Sequence, residues 1–188
     1  MSNLNFKIMP AGQISTAFLE RNISDFQQAC RFVRELPYRR NSNKDNLMTV
    51  FSEECGTCGT KHALLKQLAD ENEMAGLKLL AGLFRMNATN TPQVSETLFA
   101  HKIEYVPEAH CYLRFDGEII DCTKTTAFNF VDDLIEEIEI SPDQVAAYKV
   151  AYQKAYLEKW LLQNTEIKFT LDEFWAIREQ CIMDISMK

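Results

Sequence analysis

The chain has 188 residues and a formal net charge of −7, and this length is enough for one well-buried domain. Hydrophobic residues make up 46% and charged residues 25% of the sequence, values that are ordinary for a globular protein and argue against disorder. The acidic balance lowers the expectation of a nucleic-acid partner, and no apolar run is long enough to span a bilayer. The first residues also lack the pattern of a secretory signal. We therefore expect a cytoplasmic protein without a nucleic-acid or membrane partner.

The first half of the sequence predicts two helices and a strand. Apolar residues recur at helical spacing over residues 24–36, and Pro37 ends that pattern. Residues 38–46 are polar and rich in turn formers, which indicates a surface loop. A second helix is predicted over residues 58–71. The mostly apolar run at 77–86 predicts a strand that is buried on both faces.

The clearest β signal lies in the middle of the chain. Residues 109–115 and 118–123 flank Asp116-Gly117, the pair favoured in a two-residue type I′ hairpin turn. We expect these two segments to form antiparallel strands. The acidic residues within 132–139 are expected to form a solvated face.

The last third of the sequence predicts helices. One begins at Pro142, and the last one follows a capping box that starts at Thr170. Helices at both ends of the chain with strands between them indicate an α+β fold. We expect a single domain over residues 1–188, with its core at about 24–140 and a helical extension at about 141–187.

The hairpin turn predicts which of its residues share a face. With Phe115 opposite Glu118, Asp121 is the diagonal neighbour of His110 on the same face. Diagonal neighbours lie roughly 7–8 Å apart by Cα, within reach of a carboxylate and an aromatic ring. Asp121 can then bond the far ring nitrogen of His110, fix its tautomer and stabilise its cation, as in a catalytic triad. A purely structural bond between the two residues is the alternative interpretation.

Six cysteines stand at positions 30, 55, 58, 111, 122 and 181. Without an export signal we expect them to be mostly free, buried thiols. The hairpin register also predicts that Cys111 lies opposite Cys122 in a hydrogen-bonded pair. A disulfide in that position is strained, so both are expected to be reduced.

Cys58 follows a glycine-containing turn and begins the predicted helix over 58–71. The positive end of the helix dipole and the amides of the first turn lower the pKa of a cysteine in this position. The same amides can line an oxyanion hole. No residue among 38–51 can be assigned as a second oxyanion donor. The alternative is a small, buried, unreactive cysteine.

The string GTCGTKHALL at 56–65, followed by His110 and then by Asp121-Cys122-Thr123, resembles the transglutaminase-like superfamily, and most closely its small bacterial branch. In that family a cysteine begins a helix, a histidine lies on a following strand and an aspartate on the next. The resemblance covers about residues 55–123. It implies a papain-like α+β fold in which the central helix, starting at the cysteine, packs on an antiparallel sheet.

The resemblance also implies a cysteine hydrolase or acyltransferase. Cys58 would attack an amide or ester carbonyl to form a thioester, His110 would move the proton, and Asp121 would orient His110. The substrate would be a peptide, a protein or a small amide or ester, with no metal and no organic cofactor required. Cys111 follows His110 where the family commonly has an aromatic residue. His62, one helical turn after Cys58, is a second candidate for the base, but Asp121 and the family pattern favour His110.

Three other interpretations stay open. Some members of the superfamily are inactive binding domains, so binding without catalysis is the main alternative. Cys55 and Cys58 also form a Cys-x-x-Cys, a pattern used for thiol–disulfide exchange, although the preceding chain lacks the expected strand–helix–strand unit. The third interpretation is zinc held by Cys55, Cys58 and His62, with Cys111 or His110 as the fourth ligand. A second pair of closely spaced ligands, which structural zinc sites usually have, is absent from the sequence.

Overall fold

The structure is a computed structural model that describes residues 4–124 and 129–186. The described residues form seven α-helices and four strands, and the strands make one antiparallel sheet in the order β3-β2-β1-β4. The predicted α+β class is confirmed. The helices are α1 (Gln13–Leu19), α2 (Phe26–Glu35), α3 (Thr49–Ser52), α4 (Cys58–Glu71), α5 (Ser95–His101), α6 (Ala147–Gln163) and α7 (Leu171–Ser186); the strands are β1 (Lys78–Asn87), β2 (Tyr105–Phe115), β3 (Glu118–Ile120) and β4 (Leu134–Ile140).

The chain forms two compact units. The first comprises Met1–Ala81, His110–Ala127 and Ile138–Ala146, and the second comprises Gly82–Ala109, Phe128–Glu137 and Ala147–Lys188. The three predicted catalytic residues, Cys58, His110 and Asp121, all belong to the first unit. The expectation of a single domain stays a prediction.

Two helices of the first unit begin and end where local signals indicate. The Asp25 carboxylate accepts a bond from the Gln28 amide at 2.8 Å, which caps α2, and the helix ends two residues before Pro37. The central helix α4 spans the predicted residues. All residues at 58–65 are buried, so this part of α4 is enclosed on every side. Its apolar side chains share one hydrophobic core with Leu79 of β1 and Leu113 of β2.

The hairpin has the predicted register, but its second strand is short. Phe115 pairs with Glu118 and Leu113 with Ile120, and both turn residues have positive φ, as a type I′ turn requires. The pairing ends there. Residues 121–123 leave the ladder, because their backbone groups bond to α4 and to the Asp121 side chain instead. The predicted pairing of Cys111 with Cys122 is therefore wrong.

Several elements differ from expectation. Helix α5 lies in a stretch without a predicted helix, and His101 is its exposed last residue. The acidic segment forms β4, an edge strand whose Ile138 and Ile140 contact the core. The helix predicted to start at Pro142 is divided: a 3-10 turn precedes α6, and the backbone breaks at Ala146.

In the described part of the chain, no helix combines the length and apolar character needed to cross a membrane.

Candidate active site

Cys58 is the first residue of α4 and is 4% exposed. Thr57 before it is extended, and its amide donates to Thr60 Oγ1 at 3.0 Å, which closes the first turn. The thiol therefore sits at the positive end of a 14-residue helix, where amide hydrogens point out of the helix end.

His110 and Asp121 are in direct contact. His110 Nε2 lies 2.8 Å from Asp121 Oδ2, so the predicted bond to the far ring nitrogen is confirmed. The other carboxylate oxygen accepts the Thr123 amide at 2.8 Å. Tyr112, which is fully buried, stacks on the imidazole with ring centroids 6.2 Å apart. The ring and the carboxylate are each held by more than one contact, which limits their motion.

The Cys58 thiol is a hydrogen-bonding partner of the same histidine ring. Because Nε2 of His110 faces Asp121, Nδ1 is the nitrogen left for the sulfur. Burial opposes protonation of His110, but the Asp121 carboxylate and the Cys58 thiol outweigh it and raise the pKa to about 10. Burial also opposes ionisation of Asp121, yet His110 holds the pKa of that carboxyl well below its usual range. The pair is thus an imidazolium and a carboxylate at neutral pH.

His62 has a different role from His110. It is fully buried, and its Nε2 accepts the Cys122 amide at 2.7 Å. Its Nδ1 lies 2.8 Å from the Cys58 carbonyl oxygen, to which it must donate. Both nitrogens are thereby engaged with the backbone, and neither is left for the thiol proton. Among the two candidates, the geometry favours His110 as the base.

Lys61 is a buried cation next to the site, and it was not among the predicted site residues. Its Nζ donates to the Leu36 carbonyl at 2.6 Å and to the Thr123 carbonyl at 2.9 Å, and its exposure is zero. Burial lowers its pKa to about 8, while nearby thiols and the Asp121 carboxylate act in the opposite direction. Lys61 therefore ties the end of α2 to the segment that carries Asp121. A lysine three residues after Cys58 and directly ahead of the buried stretch at 62–65 is the signal in the sequence that points to such a role.

Asn41 also departs from expectation, since it is buried within the stretch predicted as a surface loop. Its amide nitrogen donates to the Cys55 carbonyl at 3.0 Å, and its Oδ1 accepts from Thr60 Oγ1 at 2.7 Å. These bonds hold both sides of the turn that leads into Cys58. Because its amide nitrogen is engaged with the backbone, we assign Asn41 to the support of the turn and not to the oxyanion hole.

Cys122 contacts a thiol that the sequence did not indicate. All six cysteines are free and buried, and the side chain of Cys30, on α2, is hydrogen-bonded to that of Cys122. This bond, together with burial, raises the pKa of Cys30, and the same bond lowers that of Cys122. Arg34 lies 3.8 Å from the Cys122 sulfur and donates to the Asp121 carbonyl at 3.2 Å. A second polarised thiol therefore lies next to the site, enclosed by protein.

The Cys-x-x-Cys has distinct surroundings at its two ends. The Cys55 sulfur accepts from Arg39 Nε at 3.4 Å, whereas Cys58 contacts His110. Within residues 4–124 and 129–186, no three or more His, Cys, Asp or Glu side chains are grouped so that they could hold a metal ion. The three zinc ligands suggested by spacing, Cys55, Cys58 and His62, do not form such a group.

Comparison of the chain with protein-family models, with curated proteins and with solved structures finds no match. The resemblance to transglutaminase-like proteins accordingly depends on the residues named above. What the structure adds is a continuous line of contacts from Cys58 through His110 to Asp121, at the N-terminus of the central helix.

Proposed function

We propose that the protein is a cysteine-dependent hydrolase or acyltransferase with a transglutaminase-like, papain-like fold. The observation that carries this proposal is the position of the His110 ring, which contacts the Cys58 thiol on one side and lies 2.8 Å from Asp121 on the other. A nucleophile, a base and an orienting carboxylate in this order are the parts required for nucleophilic acyl transfer.

The reaction begins with the ion pair. A protonated His110 in contact with Cys58 stabilises negative charge on the sulfur, so the resting site holds a thiolate and an imidazolium. The thiolate attacks the carbonyl carbon of an amide or ester, and the carbonyl oxygen becomes an oxyanion. We assign the stabilisation of this charge to amide hydrogens at the N-terminus of α4, where Cys58 lies.

Collapse of the tetrahedral intermediate breaks the bond from the carbonyl carbon to the leaving nitrogen or oxygen. His110 gives its proton to that atom, and the acyl group stays on Cys58 as a thioester. Water or an amine then attacks the thioester, and His110 accepts its proton. The released products are an acid or a new amide, and the thiolate and imidazolium are restored.

The surrounding side chains support this site without taking part in bond changes. Asp121 keeps His110 protonated and oriented. His62 and Lys61, both on α4, bond the backbone of the two residues that follow Asp121, at Cys122 and Thr123. The helix that carries the nucleophile is therefore tied to the segment that carries Asp121. Such support from a rigid element is what a preorganised site needs.

The low exposure of Cys58, 4%, favours one second candidate, a binding domain of the same fold without activity. The two candidates differ in the chemistry of the thiol. A catalytic Cys58 reacts with small electrophiles at mildly acid pH, whereas a cysteine that serves only packing does not.

The test is iodoacetamide labelling of the native protein at about pH 6, mapped to individual cysteines by peptide mass spectrometry. We expect selective labelling of Cys58 that is lost in Cys58→Ala and strongly reduced in His110→Ala. Cys181 is the internal reference, since burial raises its pKa to about 12 and should leave it unlabelled. Slow labelling that is spread over several cysteines and indifferent to His110 would contradict catalysis and support the binding domain.

A further inference from the structure

Lys124 and Tyr38 lie side by side next to the turn that precedes the nucleophile. The Lys124 ammonium stands 5.6 Å from the centre of the Tyr38 ring, a cation–π geometry. Tyr38 itself forms a parallel backbone bridge with Gly56, two residues before Cys58. The Gly56 amide also donates to the Pro37 carbonyl at 3.2 Å. The Tyr38 backbone is thus fixed alongside the approach to α4.

The backbone of Lys124 is fixed by the bonds of the residue before it. It directly follows Thr123, whose amide is bound to the Asp121 carboxylate at 2.8 Å and whose carbonyl accepts from Lys61 at 2.9 Å. The side chain therefore starts at the segment that carries the orienting carboxylate and ends over a residue beside Gly56. This path places its charge at the edge of the site, between the two segments that supply Asp121 and Cys58.

The electrostatic surroundings agree with this placement. Burial lowers the pKa of Lys124, and the charges of Asp121 and Cys58 act against that shift. The ammonium therefore interacts electrostatically with both groups. In the described part of the chain, no acidic side chain forms an ion pair with Lys124. A half-buried ammonium that rests on an aromatic face keeps N–H donors for a further acceptor.

We propose that Lys124 binds a carboxylate of the substrate, so that the preferred substrate is an amide or ester with an anionic group near the bond that is broken, such as the C-terminal residue of a peptide. This inference depends on the proposed acyl-transfer function, because it assigns a substrate class to the same site. Tyr38 limits the rotamers of Lys124 and so reduces the entropy that is lost when the carboxylate is bound.

Two alkylating probes that differ in charge test this directly, without knowledge of the natural substrate. Iodoacetate carries a carboxylate and iodoacetamide does not, and both alkylate a thiolate. The measured quantity is the second-order rate constant of iodoacetate at Cys58 divided by that of iodoacetamide. Both reactions are run at low ionic strength, and alkylation of Cys58 is monitored by peptide mass spectrometry. This ratio cancels changes in the reactivity of the thiolate itself.

We expect the ratio to fall by about two- to fivefold in Lys124→Gln, the effect of one unit charge at a partly solvated site. It should be retained in Lys124→Arg, which keeps the charge. Lys78→Gln is the matched control, since Lys78 is exposed and pairs with Glu139 on the surface. That variant changes the net charge equally and should leave the ratio unchanged.

The outcomes separate the two proposals. An unchanged ratio in Lys124→Gln, with Cys58 still labelled in a His110-dependent manner, overturns the anionic substrate and leaves acyl transfer standing. An equal fall in Lys78→Gln also overturns it, because the effect then reflects net charge. Failure of both reagents to label Cys58 selectively in the unmodified protein overturns the proposed function and this inference with it.

Discussion

The Asp121 carboxylate lies 2.8 Å from Nε2 of His110, and the imidazole is almost fully buried. A buried pair of this kind ionises as a unit, and each partner shifts the pKa of the other toward the charged form. We expect the reactivity of Cys58 and the pH dependence of stability both to depend on this contact.

Asp121→Asn should leave the protein folded but reduce the reactivity of the Cys58 thiol. The substitution keeps the shape of the side chain but removes the charge that raises the pKa of His110. His110 then becomes neutral near pH 7, and Cys58 loses its cationic partner. We expect the rate of Cys58 alkylation at pH 6 to fall by about a hundredfold, as the thiolate fraction returns toward that of an ordinary thiol. A rate equal to that of the unmodified protein would show that Asp121 has no role in activation.

The same pair makes a defined contribution to the pH dependence of stability. The pKa of His110 rises on folding from 6.5 to about 10, so the stabilisation is fully present below about pH 6.5 and is lost as pH rises to about 10. The difference in unfolding free energy between the unmodified protein and Asp121→Asn should therefore shrink over this range. Urea denaturation at pH 6, 8 and 9.5 measures it, and a difference that does not change with pH would contradict the assignment.

Lys61 should give a pH dependence of the opposite sign. Its pKa falls on folding from 10.5 to about 8, so the folded chain releases this proton more readily than the unfolded chain. Stability conferred by this residue consequently rises with pH between about 8 and 10.5. Lys61→Met is the control, because methionine has no proton to release and adds no pH dependence to the unfolding free energy. The unfolding free energy of the unmodified protein should increase relative to that of the variant as pH rises from 8 to 10.

His62→Leu should destabilise the protein by about 1–3 kcal/mol, because it leaves the buried amide of Cys122 without a partner and removes the side-chain bond to the Cys58 carbonyl. Chemical denaturation near pH 7 measures the loss. The fraction that folds should still show alkylation of Cys58 that depends on His110. Loss of that dependence, with the fold intact, would instead identify His62 as the base.

The labelling experiments also distinguish the two activated thiols. Bonding to Cys30 lowers the pKa of Cys122, but Cys122 is completely buried. We expect iodoacetamide to modify Cys122 only after denaturation, so that Cys122→Ser leaves the native labelling pattern unchanged. Native modification of Cys122 at a rate similar to that of Cys58 would show that this part of the protein opens to solvent.

Much of the first unit could be predicted because its signals lie within a few residues of each other. The Asp25 cap and Pro37 bound α2, and Asp116-Gly117 sets the hairpin register. The contact of Asp121 with His110 forms just beyond the last pair of that ladder, Leu113 with Ile120. The strand β4 was missed because its alternation of acidic and apolar residues becomes a strand only through pairing with β1 at the sheet edge.

Local patterns were enough to predict the central helix that begins at Cys58, the hairpin and the order of cysteine, histidine and aspartate along the chain. Three contacts could be found only in the folded chain: His62 bonds backbone groups, Lys61 is buried between two carbonyls and Cys122 bonds to Cys30. The reason is physical: caps, turns and periodicity act between neighbouring residues. Burial and long-range hydrogen bonds, in contrast, depend on which distant segments the packed core brings together.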